Sequence, residues 1–454
     1  MSRPHPHGAS AFSVSNRKID PTRRRATAFK PDGTPDDNDR VETGPTARAF
    51  AEWAALGLTP PDLARMRADR LARLRARLVA EDVAGIVLFD PLNIRYATDS
   101  SNMQMWTLHN FARAAFVATE GPAVLWDFHG SEHLTEHLPL IDEIRHGASF
   151  FYFESAELCE AHARRFAAEI EALVSAHGGG NRRVAVDKIE WLGADALRDL
   201  GLTLFPGQRV TELARVVKSE EEIRAMRCAM ASCEAACEEM RAATEPGKTE
   251  VDLWAVMNHG NHIRGGEWVE TRILSSGPRT NPWFQECGPR IVSAGELLAF
   301  DTDMIGPYGY CADISRTWLI GDGDASPEQR RIFRIALEHV TENAKLLRPG
   351  VSFRELTFGG HQLPEEFVHN RYGVRFHGIG LCDEYPSIRY PQDYEEDAYL
   401  EEFAVLQPNM TVCVEVYAGA VGGREGVKIE DQWLVTETGA ESLTRLAHDP
   451  RLMD

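Results

Sequence analysis

The sequence predicts an α+β protein of two domains, a smaller α/β domain followed by a larger mixed one. Two observations support this fold class. Residues of about 60–210 alternate short apolar runs with amphipathic stretches, as strands alternating with helices do. Near residue 215 the composition changes to two long helical patterns, and mostly strand-like segments follow. We therefore place an arm at 1–58, an α/β domain at 59–214 and a second domain at 215–454.

The overall composition is that of an ordinary globular protein, since 43% of the 454 residues are hydrophobic and 26% are charged. The formal net charge of −20 argues against a surface for nucleic acid or anionic membranes. No apolar stretch approaches the roughly 20 residues that cross a bilayer. The opening MSRPHPHGAS also lacks the apolar core of a secretory signal. We therefore expect a cytoplasmic protein with no nucleic-acid or membrane partner.

The arm is polar and carries many prolines and arginines over residues 1–45. Such a stretch cannot bury enough apolar surface to fold alone. We expect the arm to be disordered or to lie on a partner subunit.

The α/β domain should contain, in order, a helix, a strand, a hairpin, a helix and a strand. The helix begins near Thr59 in TPPDLARMRADRLARLRARLVAEDV, with proline in its first turn. The strand GIVLFD, the hairpin RAAFVATEGPAVLWDF, the helix SAELCEAHARRFAAEIEALVSAHGGG and the strand VAVDKI follow. No Gly-rich phosphate loop occurs in this sequence, which indicates a structural role, with loops able to cap a neighbour's pocket.

The second domain opens with two helices separated by TEPGKTE, where Pro-Gly ends the first helix and Thr249 caps the second. EWVETRILSSG and PRTNPWFQE are expected to be strand-like, ahead of a hairpin over Phe300–Trp318. Helices are predicted over SPEQRRIFRIALEHVTENAKLL and SFRELTFGGHQLPEEFVHN. The last strands are RFHGIGL, MTVCVEVYAGAV and GVKIEDQWLVTETG.

Three aspartates, Asp301, Asp303 and Asp313, lie on the two short apolar runs of the Phe300–Trp318 hairpin. Side chains at i and i+2 share a strand face, so Asp301 and Asp303 should point the same way. Buried like charges repel each other and lose hydration, and they are tolerated with a counter-charge or as metal ligands. A metal site is the leading interpretation, and a solvated turn with capping aspartates is the alternative.

Three later strands each carry an ionisable residue among apolar ones. His377 lies in FHGIGL, Glu415 in CVEVYAG and Glu430 in VKIEDQW. Any one of these groups alone fits a structural ion pair or a hydrogen-bonded core histidine. Together with the aspartates they favour a metal centre.

The order Asp, Asp, His, Glu, Glu on strands resembles the creatinase and methionine aminopeptidase family, which has the pita-bread fold. The matching stretches are GYCADISRTW, FHGIGLCDEYP, CVEVY and GVKIEDQWLVTETG. VVKSEEEIRAMRCA resembles the helix that opens the family's catalytic domain, and residues 60–210 resemble its creatinase-type N-terminal domain. The resemblance implies that Asp313, His377, Glu415 and Glu430 are metal ligands, with Asp313 and Glu430 bridging two ions. Oxygen-rich ligation with one imidazole suits Fe, Mn, Co or Zn.

The sequence departs from the family's peptidases at three places. Their aspartate eleven positions before Asp313 is replaced by Thr302, which Asp301 and Asp303 flank. Their histidine before a Glu-x-Pro sequence is replaced by Asp383. In SSGPRTNPWFQE, Trp283 stands roughly where a further active-site histidine is found. Losing two histidines while keeping the ligands argues against peptide hydrolysis.

These departures resemble the dimethylsulfoniopropionate lyases of the DddP type, which share the fold. That resemblance implies cleavage to dimethyl sulfide and acrylate by a homodimer, with iron as the usual metal, Asp383 as the base and Tyr372 as a substrate contact. Aromatic rings can hold a sulfonium cation, which makes Trp283 and Trp106 further candidates. The implied metal ligands are Asp301, Asp303, Asp313, His377, Glu415 and Glu430.

Two other functions stay open at this point. The first is a dinuclear Xaa-Pro dipeptidase or aminopeptidase that tolerates the substitutions. The second is a non-catalytic binding protein that keeps the creatinase scaffold, against which the complete ligand set stands. Release of proline from a Gly-Pro dipeptide would identify the peptidase, and absence of bound metal would favour the binding protein.

Overall fold

Two compact units make up the part of the chain that the structure describes, and each is taken by itself. The first unit comprises residues 62–215, and the second comprises 44–61 together with 216–453. In neither described unit is a helix both long enough and apolar enough to cross a bilayer. The computed structural model describes residues 44–135, 137–396, 398–399 and 403–453.

The helices that begin at Leu63 and Glu250 start at side-chain caps that the sequence supplies. The Thr249 hydroxyl accepts a hydrogen bond from the Asp252 N–H, and the Asp252 carboxylate accepts one from the Thr249 N–H, so the predicted cap is confirmed. The helix predicted from Thr59 begins instead at Leu63, because Asp62 is its N-cap. The helices are α1 (Ala47–Ala55), α2 (Leu63–Ala80), α3 (Pro91–Thr98), α4 (Gln104–Thr107), α5 (Tyr152–Ser155), α6 (Cys159–His177), α7 (Trp191–Asp199), α8 (Gly207–Arg215), α9 (Glu220–Ala243), α10 (Glu250–His262), α11 (Pro327–Ala344), α12 (Phe353–Gly359), α13 (Glu365–Val368) and α14 (Pro450–Met453).

A six-stranded mixed sheet forms the centre of the first unit. Its strands are β1 (Gly85–Leu88), β2 (Ala114–Ala118), β3 (Ala123–Trp126), β4 (Glu143–Arg145), β5 (Arg183–Val186) and β6 (Thr203–Pro206). They lie in the order β4-β3-β2-β1-β5-β6, with the β1–β2 and β2–β3 pairs antiparallel and the others parallel. Phe166 of α6 packs against Trp126 and Phe89 in its apolar core. The strands and the long helix predicted here are confirmed.

Two antiparallel sheets form the second unit. Its strands are β7 (Trp268–Val269), β8 (Leu274–Ser276), β9 (Leu297–Asp301), β10 (Met304–Ile305), β11 (Cys311–Ala312), β12 (Ser315–Leu319), β13 (Val374–Ile379), β14 (Asp383–Arg389), β15 (Thr411–Ala418), β16 (Val427–Val435) and β17 (Ala440–Ser442). The larger sheet runs β14-β13-β15-β16-β12-β9-β8, with β17 beside β16, and the smaller runs β11-β10-β7. The predicted hairpin is confirmed as the β9–β12 pair.

Helices cover the larger sheet through two apolar clusters. Phe333 of α11 and Phe353 of α12 belong to one cluster with residues of β15 and β16. Met230 of α9 belongs to the other with Phe300 and Trp318 of β9 and β12. The polar cluster described below therefore lies on strands that are fixed by packing.

Two predicted elements differ from the structure. PRTNPWFQE is a loop with a 3-10 turn and a cis Asn281–Pro282 bond rather than a strand, since these prolines cannot donate to a sheet. The helix predicted over residues 352–370 is broken into α12 and α13, with Gly360 and Pro364 between them.

Helix α1 belongs to the stretch predicted to be an arm. Its Trp53 indole N–H donates to Ser232 Oγ of α9 at 3.2 Å, and its ring stacks on Tyr308. Glu52 accepts from Arg264 at 2.6 Å. Residues 44–58 therefore fold onto the protein's own second unit, whereas residues 1–43 of the predicted arm lie outside the described residues.

Candidate metal centre

Neighbouring strands of the larger sheet bring the predicted ligands together. Ser315 of β12 is the register partner of both Asp301 on β9 and Glu430 on β16. Glu430 in turn lies opposite Glu415 on β15. His377 comes from β13, the strand on the other side of β15. The side chains of five separate strand segments thus converge on one polar cluster in an otherwise apolar sheet.

The Asp301–Asp303 pair reaches this cluster through a kink. β9 ends at Asp301, and Asp303 has a left-handed φ of +36°. Thr302 between them is fully buried, and its Oγ1 donates to the Ala312 carbonyl at 2.9 Å and accepts from the Ile314 N–H at 2.8 Å. The Thr302 hydroxyl therefore makes its hydrogen bonds inside the hairpin, and the carboxylates of Asp301 and Asp303 belong to the cluster.

The imidazole of His377 faces three carboxylates. Its Nε2 lies 3.0 Å from Glu430 Oε1, 3.6 Å from Glu415 Oε1 and 3.7 Å from Asp313 Oδ2. Its Nδ1 lies 3.1 Å from the carbonyl oxygen of Gly378. Donation from Nδ1–H to that carbonyl turns the Nε2 lone pair toward the carboxylates, which is how metal-ligating histidines are oriented.

The donor atoms fall into two groups that share Asp313. One group contains Asp313, His377, Cys413 and Glu430, and the other contains Asp301, Asp303 and Asp313. Within each group one ligand atom per residue lies within 4.8 Å of the others. Buried carboxylates at this density are costly unless cations offset them, and an oxygen-rich set with one imidazole fits divalent metal ions.

Lys428, which the sequence prediction missed, supplies a positive charge to the cluster. Its fully buried Nζ lies 2.7 Å from Glu430, 2.8 Å from Glu415 and 3.3 Å from Asp301. It also donates to Ser315 Oγ at 3.0 Å. The signal that could have found it is its position two residues before Glu430 on β16, which places both side chains on one face.

Burial and mutual repulsion shift the pKa values of the carboxylates. Burial raises the pKa of Asp313 well above its usual range, and the charges of Glu430 and Asp303 add to the rise. Burial likewise raises the pKa of Glu415 to about 8, although Lys428 opposes the shift. For Glu430 burial also raises the pKa, but Lys428 and His377 outweigh it and the net shift is downward. The three carboxylates therefore differ in their tendency to ionise, and Glu430 has the strongest tendency.

Asp383 stands at the rim of the cluster, at the start of β14. Its Oδ1 lies 3.6 Å from His377 Nδ1, and its side chain is 58% exposed. Desolvation raises its pKa, which His377 opposes and the charges of Glu430 and Asp301 reinforce. Asp383 is thus an accessible carboxylate held beside the candidate ligands.

Aromatic rings surround one side of the cluster. The Nζ of Lys428 lies 5.0 Å from the ring centre of Tyr372 and 5.8 Å from that of Trp283. Trp283 stacks on Tyr417 at 5.6 Å, and Phe284 contacts Tyr372 at 5.3 Å. Two of the three predicted substrate contacts, Trp283 and Tyr372, therefore lie together beside the carboxylates.

Trp106 lies in the first unit, where it packs with Phe128 and Phe151 at 5.8 and 6.2 Å. It belongs to an aromatic group of that unit, and its role in substrate binding stays a prediction.

The sheet and its cluster define a protein with the pita-bread fold and a buried carboxylate-rich metal site. The model of metallopeptidase family M24 matches residues 224–437. Among solved structures, an Xaa-Pro dipeptidase from Bacillus anthracis has a TM-score of 0.65 at 21% identity, covering 84% of this chain and 99% of that one. At this identity the likeness shows the fold alone.

Two curated relatives are similar over nearly the whole chain. A dimethylsulfoniopropionate lyase DddP from Roseovarius nubinhibens is 48% identical over 442 residues, which are 96% of this chain and 98% of the relative. A protein of the same name from Roseobacter denitrificans is 46% identical over 444 residues, covering 97% and 98%. The chain belongs to the family of these relatives, within metallopeptidase family M24.

Proposed function

We propose that this protein is a metal-dependent lyase that cleaves dimethylsulfoniopropionate to dimethyl sulfide and acrylate. The observation that carries the proposal is the 48% identity over nearly the full length of both chains to a relative of that name. The site supports it, because a carboxylate, Asp383, lies beside His377 where peptidases of the fold carry a histidine.

The proposed reaction is a β-elimination with Asp383 as the base. Its carboxylate removes a proton from the carbon next to the substrate carboxyl group, and the C–H electron pair becomes the C=C bond of acrylate. The bond between the β carbon and sulfur breaks with its electron pair on sulfur, so dimethyl sulfide leaves as a neutral molecule. A raised pKa makes Asp383 a stronger base than a free aspartate, and the proton passes to solvent afterwards.

Tyr372 and Trp283 are the proposed contacts of the sulfonium group. An aromatic face attracts such a cation without requiring a hydrogen bond. Their rings lie beside the carboxylate cluster, 5.8 Å (Trp283) and 5.0 Å (Tyr372) from Lys428 Nζ, which supports their proposed place at the substrate.

The proposed cofactor is a pair of divalent ions, which Asp313 and Glu430 would help to hold, with iron as the first candidate and Mn, Co or Zn as alternatives. A metal bound there would supply Lewis-acid chemistry, which would acidify the C–H next to the substrate carboxylate. The proposed ligands are Asp301, Asp303, Asp313, His377, Glu415 and Glu430.

A headspace assay tests the proposed function. Purified protein loaded with iron or manganese is incubated with dimethylsulfoniopropionate, and dimethyl sulfide is measured by gas chromatography while elemental analysis reports the bound metal. We expect equal amounts of dimethyl sulfide and acrylate. A metal-loaded protein that releases neither product would refute the proposal.

The second candidate is an Xaa-Pro dipeptidase, favoured by the fold of the B. anthracis structure and by the retained ligand cluster. Two replaced histidines count against it, since Asp383 stands where the peptidases carry the histidine that would steady a tetrahedral intermediate. Proline release from Gly-Pro by protein that makes no dimethyl sulfide would support this candidate instead.

We also propose that the protein is a cytoplasmic homodimer. Tyr152 and Phe153 support association, because their side chains are 67% and 82% exposed and large exposed aromatic groups favour protein contacts. Light scattering of the purified protein measures the oligomeric state, and a monomeric mass would contradict the proposal.

A further inference from the structure

A second group of metal-binding side chains lies at one edge of the sheet in the first unit. β3 and β4 are parallel neighbours, with Trp126 beside Arg145. The chain therefore leaves both strands at the same edge, where Asp127 donates its N–H to the Arg145 carbonyl at 3.0 Å. Loops that follow neighbouring parallel strands meet at such an edge, which is why ligand sites form there.

Three side chains of the ligating type converge at this edge. His129 and Glu132 lie on the loop after β3, and His146 directly follows β4. One ligand atom from each residue lies within 4.8 Å of the other two. His146 Nε2 lies 3.2 Å from a Glu132 oxygen, and the rings of His129 and His146 meet edge to face at 5.3 Å.

The orientation of His146 is fixed by the backbone. Its Nδ1 lies 3.2 Å from the carbonyl oxygen of Asp127, and donation there directs Nε2 toward Glu132. Asp127 is itself held by Arg113 at 2.8 Å and Asn102 at 3.2 Å. An imidazole that donates its second nitrogen to a carbonyl is oriented as metal-ligating histidines are.

We propose that His129, Glu132 and His146 bind a divalent transition-metal ion of the zinc class. Two imidazoles and one carboxylate are a donor set that zinc accepts at about 2.0–2.2 Å, with a fourth position for water or another ligand. Glu132 is buried while His129 is exposed, so the three side chains lie at the boundary between the interior of the unit and solvent. The competing explanation is an ion pair between His146 and Glu132 without metal, in which His129 takes no part.

Metal stoichiometry tests this site in the full-length protein. Protein stripped with a chelator is titrated with Zn²⁺, desalted and analysed for zinc. We expect His129→Ala, Glu132→Gln and His146→Gln each to bind one equivalent fewer than the unmodified protein. His133→Ala is the matched control, because this exposed neighbour lies outside the cluster, and it should bind the full amount.

Co²⁺ provides a readout that separates this site from the candidate metal centre. In a His377→Ala background, which weakens the second-unit cluster, we expect visible d–d absorption from Co²⁺ that His129→Ala removes. His129 is exposed, so its replacement should leave the fold intact, and far-UV circular dichroism checks this. Unchanged zinc stoichiometry in all three cluster variants would overturn the proposal, and lower thermal stability without zinc loss would assign the contacts to an ion pair.

Discussion

A single lysine compensates three buried carboxylates at the centre of the second unit. Lys428 is fully buried, and burial alone would lower its pKa. The charges of Asp301, Glu415 and Glu430 reverse that shift and hold the pKa well above its usual range. Its ammonium group is therefore a fixed positive charge, and the cluster depends on it for orientation as well as for neutralisation.

Lys428→Met should destabilise the metal-free protein by about 3–5 kcal/mol, since removing one partner of a buried pair leaves charges uncompensated. Denaturant unfolding of chelator-treated protein measures the change. Lys345→Met is the control, because Lys345 pairs with Glu342 at the surface and should change stability by less than about 0.5 kcal/mol. Equal effects of the two substitutions would show that Lys428 is not needed for compensation.

Asp383→Ala should abolish dimethyl sulfide release while leaving metal content nearly intact. The reason is geometric, since Asp383 lies at the exposed rim next to Nδ1 of His377 rather than among the atoms around its Nε2. Elemental analysis beside the headspace assay separates the possible roles. If the metal is lost together with activity, Asp383 is a ligand and not the base.

Buried His339 should make the protein acid-sensitive. Burial lowers its pKa from 6.5 to about 2, with Arg375 and His361 adding to the shift. As pH falls below about 6.5, His339 becomes protonated in the unfolded chain but stays neutral in the folded protein. The free energy of unfolding therefore decreases by up to about 1.4 kcal/mol per pH unit. His339→Phe should flatten this decline between pH 6.5 and 4 in denaturant titrations. His133→Asn, an exposed control, should leave the slope unchanged.

A residue of the candidate site could be predicted from sequence when its polarity differed strongly from that of its neighbours in the chain. Glu415 and Glu430 were found because a carboxylate inside an apolar strand has few explanations. Lys428 was missed because a lysine near the start of a strand looks like an ordinary exposed edge residue. Ser315 was missed as well, since a serine is unremarkable in sequence and gains its role from lying between Asp301 and Glu430.

At the scale of elements, the N-terminus of α10 fixes the loop that carries Trp283. Glu250, its first residue, is fully buried and accepts from the Ser276 N–H at 2.9 Å and the Gly288 N–H at 3.1 Å. It also pairs with Arg279. One carboxylate thus ties both ends of the loop 277–288 to the helix.

Glu250→Gln should lower stability by about 1–3 kcal/mol, because the amide cannot satisfy all the donors that face it. A looser loop should also raise KM for the sulfonium substrate more than it lowers kcat. Thermal unfolding and steady-state kinetics measure the two effects. Glu220→Gln, at the exposed start of α9, is the control, and a matching KM for both variants would exclude the loop effect.

Element types followed from hydrophobic periodicity wherever the run was long, as for α6, α9 and β16. The strand predicted over PRTNPWFQE failed because its backbone is shaped by tertiary contacts: Asn281 Nδ2 donates to the carbonyls of Ala420 and Gly423, far along the chain. No local pattern encodes such a partner. The strands predicted around His377, Glu415 and Glu430 are nevertheless observed, as β13, β15 and β16.

At the scale of the whole molecule, ions bound at the candidate metal centre should stabilise the second unit more than the first. The candidate metal centre lies entirely in the second unit, so ions bound there favour its folded form by mass action, by about 4 kcal/mol at a thousand-fold excess over Kd. Adding Mn²⁺ to chelator-treated protein should slow hydrogen exchange in β9, β12, β15 and β16 more than in β1 or β2. His377→Ala should remove most of the difference, and equal protection of both units would contradict the prediction.

The composition change near residue 215 lies next to the start of residues 216–453 of the second unit, but composition did not indicate that residues 44–61 belong to this unit as well. Trp53 and the other apolar residues of α1 form a short stretch that follows a polar segment of the sequence. The contact of Trp53 with α9 shows that α1 packs on the second unit. Tertiary packing therefore assigned residues 44–58 to a different unit from the one next to them in sequence.

The hydroxyl of Thr302 limits which side chains its position can accept. It donates to one backbone group and accepts from another inside the hairpin, so an aspartate there would point a carboxylate at the Ala312 carbonyl. Restoring the peptidase pattern by Thr302→Asp alone would thus create repulsion in a sealed space while two flanking carboxylates still occupied the cluster. Thr302→Asp alone should therefore not reproduce the peptidase ligand set, because Asp301 and Asp303 would remain beside it.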